Sequence, residues 1–176
     1  MKKLFKETVK SGHIFITAIL TVVMLGIMDI YTLPFIAKAA GGIPAFDLQT
    51  LGYSEATAQA FLSALSESGR SMFLHVQLPL DFMFAFVYTF LFLALFIRLN
   101  KVGEKLYFIP LVLFVLDIAE NILSLYFLTS ASVSSTWFAI GSAVTLLKNV
   151  FTLICTVMIL VFLIIWLIQR KKAKNA

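Results

Sequence analysis

Four stretches of the chain, at about 14–38, 73–97, 106–128 and 137–168, are apolar almost throughout and broken by few charges. A hydrocarbon core of about 30 Å takes about 20 helical residues to cross, so each stretch is long enough to span it. With no water in that core to bond free backbone groups, apolar spans of this length must be helical. The pattern predicts an all-α, integral membrane four-helix bundle, with residues 1–176 forming a single transmembrane domain. The segment 41–70 between the first two spans has a different texture. A Gly41-Gly42-Ile43-Pro44 turn is followed by Phe46-Asp47-Leu48 and then by Tyr53-Ser54-Glu55. Ser54 before Glu55 reads as a helix start, and 56–65 is rich in helix formers, with Phe61, Leu62 and Leu65 on one face. This predicts a short surface helix in the first outer loop. A loop of that length suits a lid over an outward-facing site, and equally a segment that merely closes the bundle.

Composition agrees with the pattern: 61% of residues are hydrophobic and 13% charged, against about a quarter charged in soluble domains. The charge also sets an orientation. Lys2, Lys3, Lys6 and Lys10 precede the first span, Arg98, Lys101 and Lys105 lie between the second and third, and Arg170, Lys171, Lys172 and Lys174 follow the fourth. These regions share one side of an up-down bundle and hold all but three of the 14 Lys and Arg residues. The positive-inside rule places that side, and both termini, in the cytoplasm. The net charge of +5 is therefore a topology signal; a nucleic-acid partner would need a basic soluble face, which this pattern does not provide. Ala37-Lys38-Ala39 superficially resembles a signal cleavage site, but the apolar region before it exceeds the usual signal core of about 7–15 residues and contains Asp29, so the expectation is a retained span. The lone Cys155 can form neither an internal disulfide nor a cysteine metal site, and reads as a small packing residue.

The candidate chemistry lies in five ionisable residues within the spans: Asp29, Asp81, Asp117, Glu120 and Lys148. Each costs roughly 2.5–3.5 kcal/mol at a helix centre, on the order of 10 kcal/mol together, and such groups persist where they face one another, face water or bind something. At about 1.5 Å per residue from the cytoplasmic ends, the acids fall at about 18–25 Å, and Lys148 at about 31 Å before allowing for tilt. Asp117, Glu120 and Asn121 share a helical face with Ser124; Gln77, Asp81 and Tyr88 form a stripe; and Gly141, Thr145, Lys148, Asn149 and Thr152 form a small, polar one. Asp29 and Thr32 precede Pro34, where a kink is expected. Four acids against one lysine call for protonation, water or a bound cation. Arg70 and His75 are placed at the entrance to this pocket. Phe82, Phe84, Phe86, Phe90 and Phe92 offer either ring faces to a cation or apolar surface to lipid. No HExxH pair, phosphate-binding glycine loop or G-x-S-x-G elbow occurs, and no spacing is specific for a metal, so no cofactor follows from the sequence.

Gly69-Arg70, the run Gln77-Leu78-Pro79-Leu80-Asp81, Tyr88, and Asp117-Ile118-Ala119-Glu120-Asn121 together resemble a group of uncharacterised bacterial four-span integral membrane proteins. The likeness covers most of the chain beyond about residue 45, with Ala85 where that pattern has a proline. It implies a bacterial cytoplasmic (inner) membrane location and no particular activity. The expected function is binding or transport of a small cationic or lipidic ligand, with membrane lipid as partner and a homo-oligomer if transport is involved. The alternatives are an intramembrane enzyme using acid/base carboxylates on a lipid or isoprenoid, and a structural protein with a satisfied polar network.

Overall fold

The computed structural model describes residues 11–99 and 104–174. The basic N-terminal residues and most of the connection 99–105, with Lys101, lie outside them, and the part of the orientation argument that they carry rests on the sequence alone. Every element among the described residues is helical: α1 (Gly12–Ala39), α2 (Glu55–Ala64), α3 (Glu67–Leu99), α4 (Phe108–Thr129) and α5 (Ser135–Lys174). All but α2 are long and apolar enough to cross a membrane, which makes this a multi-pass membrane protein by length and composition. The outer loop is shorter than expected, because α3 already begins at Glu67. Ser66 caps that start, its Oγ accepting from the Gly69 backbone N–H at 3.2 Å.

The break expected at Pro34 takes the form of a π turn, Met28–Thr32, and a second π turn, Phe73–Gln77, precedes Pro79 in α3. A proline has no N–H to give its i−4 carbonyl, and a local widening redistributes the neighbouring bonds. Leu33 donates to the Met28 carbonyl in α1, and Leu78 to that of Phe73 in α3. The two turns meet, and Thr32 donates from its hydroxyl to Gln77 Oε1 with both side chains fully buried. A polar bond inside hydrocarbon thus pins α1 to α3.

The helix α3 packs against α1, α4 and α5, and α4 packs along α5, while α1 meets the bundle through α3. The 130–134 connection is short, so α4 and α5 run antiparallel. Ala85, Phe96, Leu113 and Cys155 form the core between these helices, and Cys155 takes the packing role expected of it. Much of the outward surface of α1 and α5 is apolar and exposed, as at Ile30, Leu153 and Ile164, a pattern suited to lipid. Trp137 and Trp166 stand about 44 Å apart along α5, close to the thickness of a bilayer with its headgroups. Both are partly exposed, the usual placement of interfacial tryptophans.

The segment 40–54 folds back onto the outer end of the bundle. Gly41 and Gly42, at φ 66° and 91°, turn the chain off α1 in a conformation that L side chains resist. The fully buried Phe46 then inserts among Tyr53, Phe61 and Phe127, at ring-centroid distances of 5.2, 5.0 and 5.5 Å. Tyr53 N–H donates to Ser142 Oγ on α5 at 2.8 Å. Ser54 caps α2 by accepting from Thr57 N–H at 3.1 Å. The loop is a packed plug. Its seat on α5 requires Gly141, because a Cβ there would lie 2.9 Å from the Phe127 ring and collide with the Tyr53 hydroxyl. Gly141→Val should therefore cost about 1–3 kcal/mol by overpacking. It should lower the melting temperature in detergent and expose 40–54 to protease. Gly26→Ala, whose Cβ meets nothing within 4 Å, should melt at or above wild type.

Candidate functional site

Helical spacing assembles the centre of the site. Asp117 and Glu120, one turn apart on α4, face Thr145 and Lys148, one turn apart on α5. Lys148 Nζ lies 3.5 Å from Asp117 Oδ1 and forms a closer ion pair with Glu120 Oε2. Tyr88 of α3 donates its hydroxyl to Asp117 Oδ2 at 2.8 Å, and Thr145 donates to Glu120 Oε1. One lysine and two hydroxyls thus serve two carboxylates. Lys148 meets the acids, as expected once tilt is allowed for; α5 continues to Lys174, so its inner end is no guide to depth. Measured from the outer ends, Lys148 lies about 20 Å along α5 and Asp117 about 18 Å along α4, so the two meet.

Two further acids lie beside this group without its partners. Asp81 on α3 is only 6% exposed, and among the described residues its carboxylate has no hydrogen bond or ion pair. Asp47, from the plug, has a buried Oδ1 with no hydrogen-bond partner. Burial raises the Asp47 carboxyl to about 6; Lys148 opposes that rise, while Glu120 and Asp117 add to it. Asp47 is the site residue that sequence reasoning missed. A loop aspartate reads as solvated, and the only hint was its apolar flanks, Phe46 and Leu48.

These acids border a cavity of about 390 Å³, within the usual range for small-ligand sites. Asp47, Asp81, Asp117 and Lys148 line its polar end, and Leu25, Met28, Phe84 and Phe92 its walls. The phenylalanines of α3 divide accordingly. Phe84 and Phe92 flank Tyr88 at 5.0 and 5.5 Å, whereas Phe86 and Phe90 point outward, 62% and 38% exposed. Phe82 is half-buried and does not line the cavity.

The other expected site residues scatter. Asp29 is exposed on the cavity rim. Asn149 lines the cavity and donates to the Thr50 carbonyl at 3.3 Å, tying the plug to α5. Asn121 is buried with its Nδ2 unpartnered. Arg70 and His75 lie away from the cavity. Arg70 donates to the Leu128 carbonyl, and to that of Leu62 at 3.5 Å, fastening the ends of α4 and α2. It lines a separate outer pocket of about 400 Å³. His75 is exposed and its Nδ1 lies 3.0 Å from the Ser71 carbonyl oxygen. The plug, through Asp47 and Leu48, lies across the outer end at which both were expected to act. Among the described residues no group of three or more His, Cys, Asp and Glu side chains is placed to hold a metal ion.

No family model, curated protein or solved structure matches this chain.

Two outcomes follow from the geometry. Lys148→Met strands two buried carboxylates and should destabilise the bundle by about 3–5 kcal/mol. Adding Glu120→Gln should restore part of that loss, with Asp117 still held by Tyr88. Equal melting of wild type, single and double mutants would show that the ion pair carries no stability. The raised Asp47 carboxyl has a definite sign. The folded state holds its proton between the ordinary value near 3.8 and about 6, so this group's contribution to stability falls as pH rises through that window. Asp47→Asn should accordingly melt above wild type at pH 7–8. The difference should shrink as pH falls through about 6 and vanish below about 4. A pH-independent difference would overturn the assignment.

Proposed function

We propose that this protein binds a small organic cation in an acidic pocket within the membrane. The observation that carries the reading is that Asp81 and the Oδ1 of Asp47 border the cavity without a partner, while Asp117 and Glu120 pair with Lys148. Unpaired carboxylates in a closed site are costly, and a cation that neutralises them gains what the protein leaves unsatisfied. A molecular cation suits the pocket better than a metal ion, since the free acids do not converge as ligands. The ring faces of Phe84 and Tyr88 add favourable surface for positive charge. The basic ends, and the resemblance to bacterial four-span proteins, support a bacterial inner-membrane setting with both termini cytoplasmic and the pocket in the outer half of the bilayer.

An intramembrane enzyme is the second reading. Its specific support is the contrast between Asp117, held by Lys148 and Tyr88, and the unpartnered Asp81 nearby. Two carboxyls in such different surroundings suit acid–base work.

Thermal-shift measurements on the purified full chain in mild detergent test the binding reading. A bound amine at about one hundred times its Kd should stabilise by about 2.7 kcal/mol. Asp81→Asn should weaken the effect at least about tenfold, and an alkyl sulfonate should have none. No shift with any amine or amphiphilic cation, together with no co-purifying ligand in native mass spectrometry, would exclude it.

A further inference from the structure

We infer that the ligand is a single-chain amphiphilic amine that reaches the pocket sideways from the lipid, through the gap between α1 and α5. This rests on the cation-binding reading and adds the ligand's class and its route. At the outer end the turn that carries Asp47 and Leu48 lies across the cavity, held down by the buried Phe46. The side is different. The cavity runs between α1 and α5, lined by Thr21 and Leu25 on one side and by Thr152 and Thr156 on the other. Three of these, Leu25, Thr152 and Thr156, are exposed, so the gap opens onto the surface that faces lipid in a bilayer. Asp29 stands on that rim, also exposed, where a carboxylate is costly in hydrocarbon and attracts an arriving ammonium group.

The shape of the cavity fits one kind of molecule. It extends along the helices from Asp81 to Phe92 on α3, about 16 Å, and from Lys148 to Thr156 on α5, about 12 Å. Fixed charge is confined to one end of it; the other is walled by Phe92, Leu25 and threonines. A head that carries positive charge and a linear tail match this polarity. The head must also donate hydrogen bonds, because Asp81 and Asp47 Oδ1 lack donors and a buried acceptor left unsatisfied costs free energy. A protonated amine has N–H groups to give them. A quaternary ammonium does not.

The test uses the full chain in zwitterionic lipid nanodiscs, titrated with dodecylamine, dodecyltrimethylammonium and butylamine, with empty nanodiscs as the partitioning control. Dodecylamine should bind at least about tenfold more tightly than either of the others. Thr156→Trp, which fills the apolar end, should weaken dodecylamine at least about tenfold and leave the weak binding of butylamine unchanged. Thr21→Phe, from the opposite wall, should act the same way and covers the case in which the first variant does not fold. Equal affinity for butylamine and dodecylamine, insensitive to both variants, would overturn lateral access while leaving the acidic pocket standing. Equal affinity for the quaternary compound would overturn the donating head. Binding by none of the three would remove the cation-binding reading itself.

Discussion

Among the described residues Lys148 is the only lysine or arginine paired with the acids of the bundle interior, and the organisation of the site follows from how it is used. Its ammonium group is placed between Asp117 and Glu120, with Tyr88 and Thr145 completing their shells. Three helices are thereby joined at one level by charge and hydrogen bonds. Sliding α4 past α5 by a turn would separate buried opposite charges, which is why the pair sets their relative position. Among the described residues Lys148 forms no ion pair with the other two acids, because its ammonium group is placed against Asp117 and Glu120. Asp81 and the Oδ1 of Asp47 are left without a side-chain partner.

Around that centre, polar contacts hold elements that apolar packing alone would leave free to slide. The bond from Thr32 to Gln77 fixes α1 against α3 where both helices widen before a proline. The plug is held to α5 by Tyr53 on Ser142 and by Asn149 on Thr50. In lipid, where tails are as apolar as leucine, such contacts and close small-residue packing substitute for the hydrophobic drive between helices. The helix α1 is attached through α3, and the cavity lies between it and α5.

Satisfied and unsatisfied polar groups therefore occupy different places. Asp117, Glu120 and Lys148, between α4 and α5, are paired with one another; Asp81 on α3 and Asp47 Oδ1 on the plug border the cavity without a bond. The cavity's lateral opening and its one-sided polarity are properties of the gap between α1 and α5, which no single helix displays.

Much of the architecture was legible in the chain because the bilayer imposes a length and a hydropathy that apolar runs report directly. Four spans, the surface helix capped by Ser54 and the packing role of Cys155 needed only periodicity and composition. The convergence of Asp117, Glu120 and Lys148 was also legible, because helical spacing places i and i+3 residues on one face and tilt brings Lys148 to their level. Only the tertiary structure could decide which acids are paired, since partners 28 or 31 residues apart depend on the relative position of two helices. Asp47 entered the site because Phe46 is buried among Tyr53, Phe61 and Phe127 and carries its neighbour inward, a contact between distant residues that no local pattern reports. For the same reason Arg70 and His75 left it: their helix was evident from sequence, but the direction in which the pocket opens is set by where α1 and α5 fail to meet.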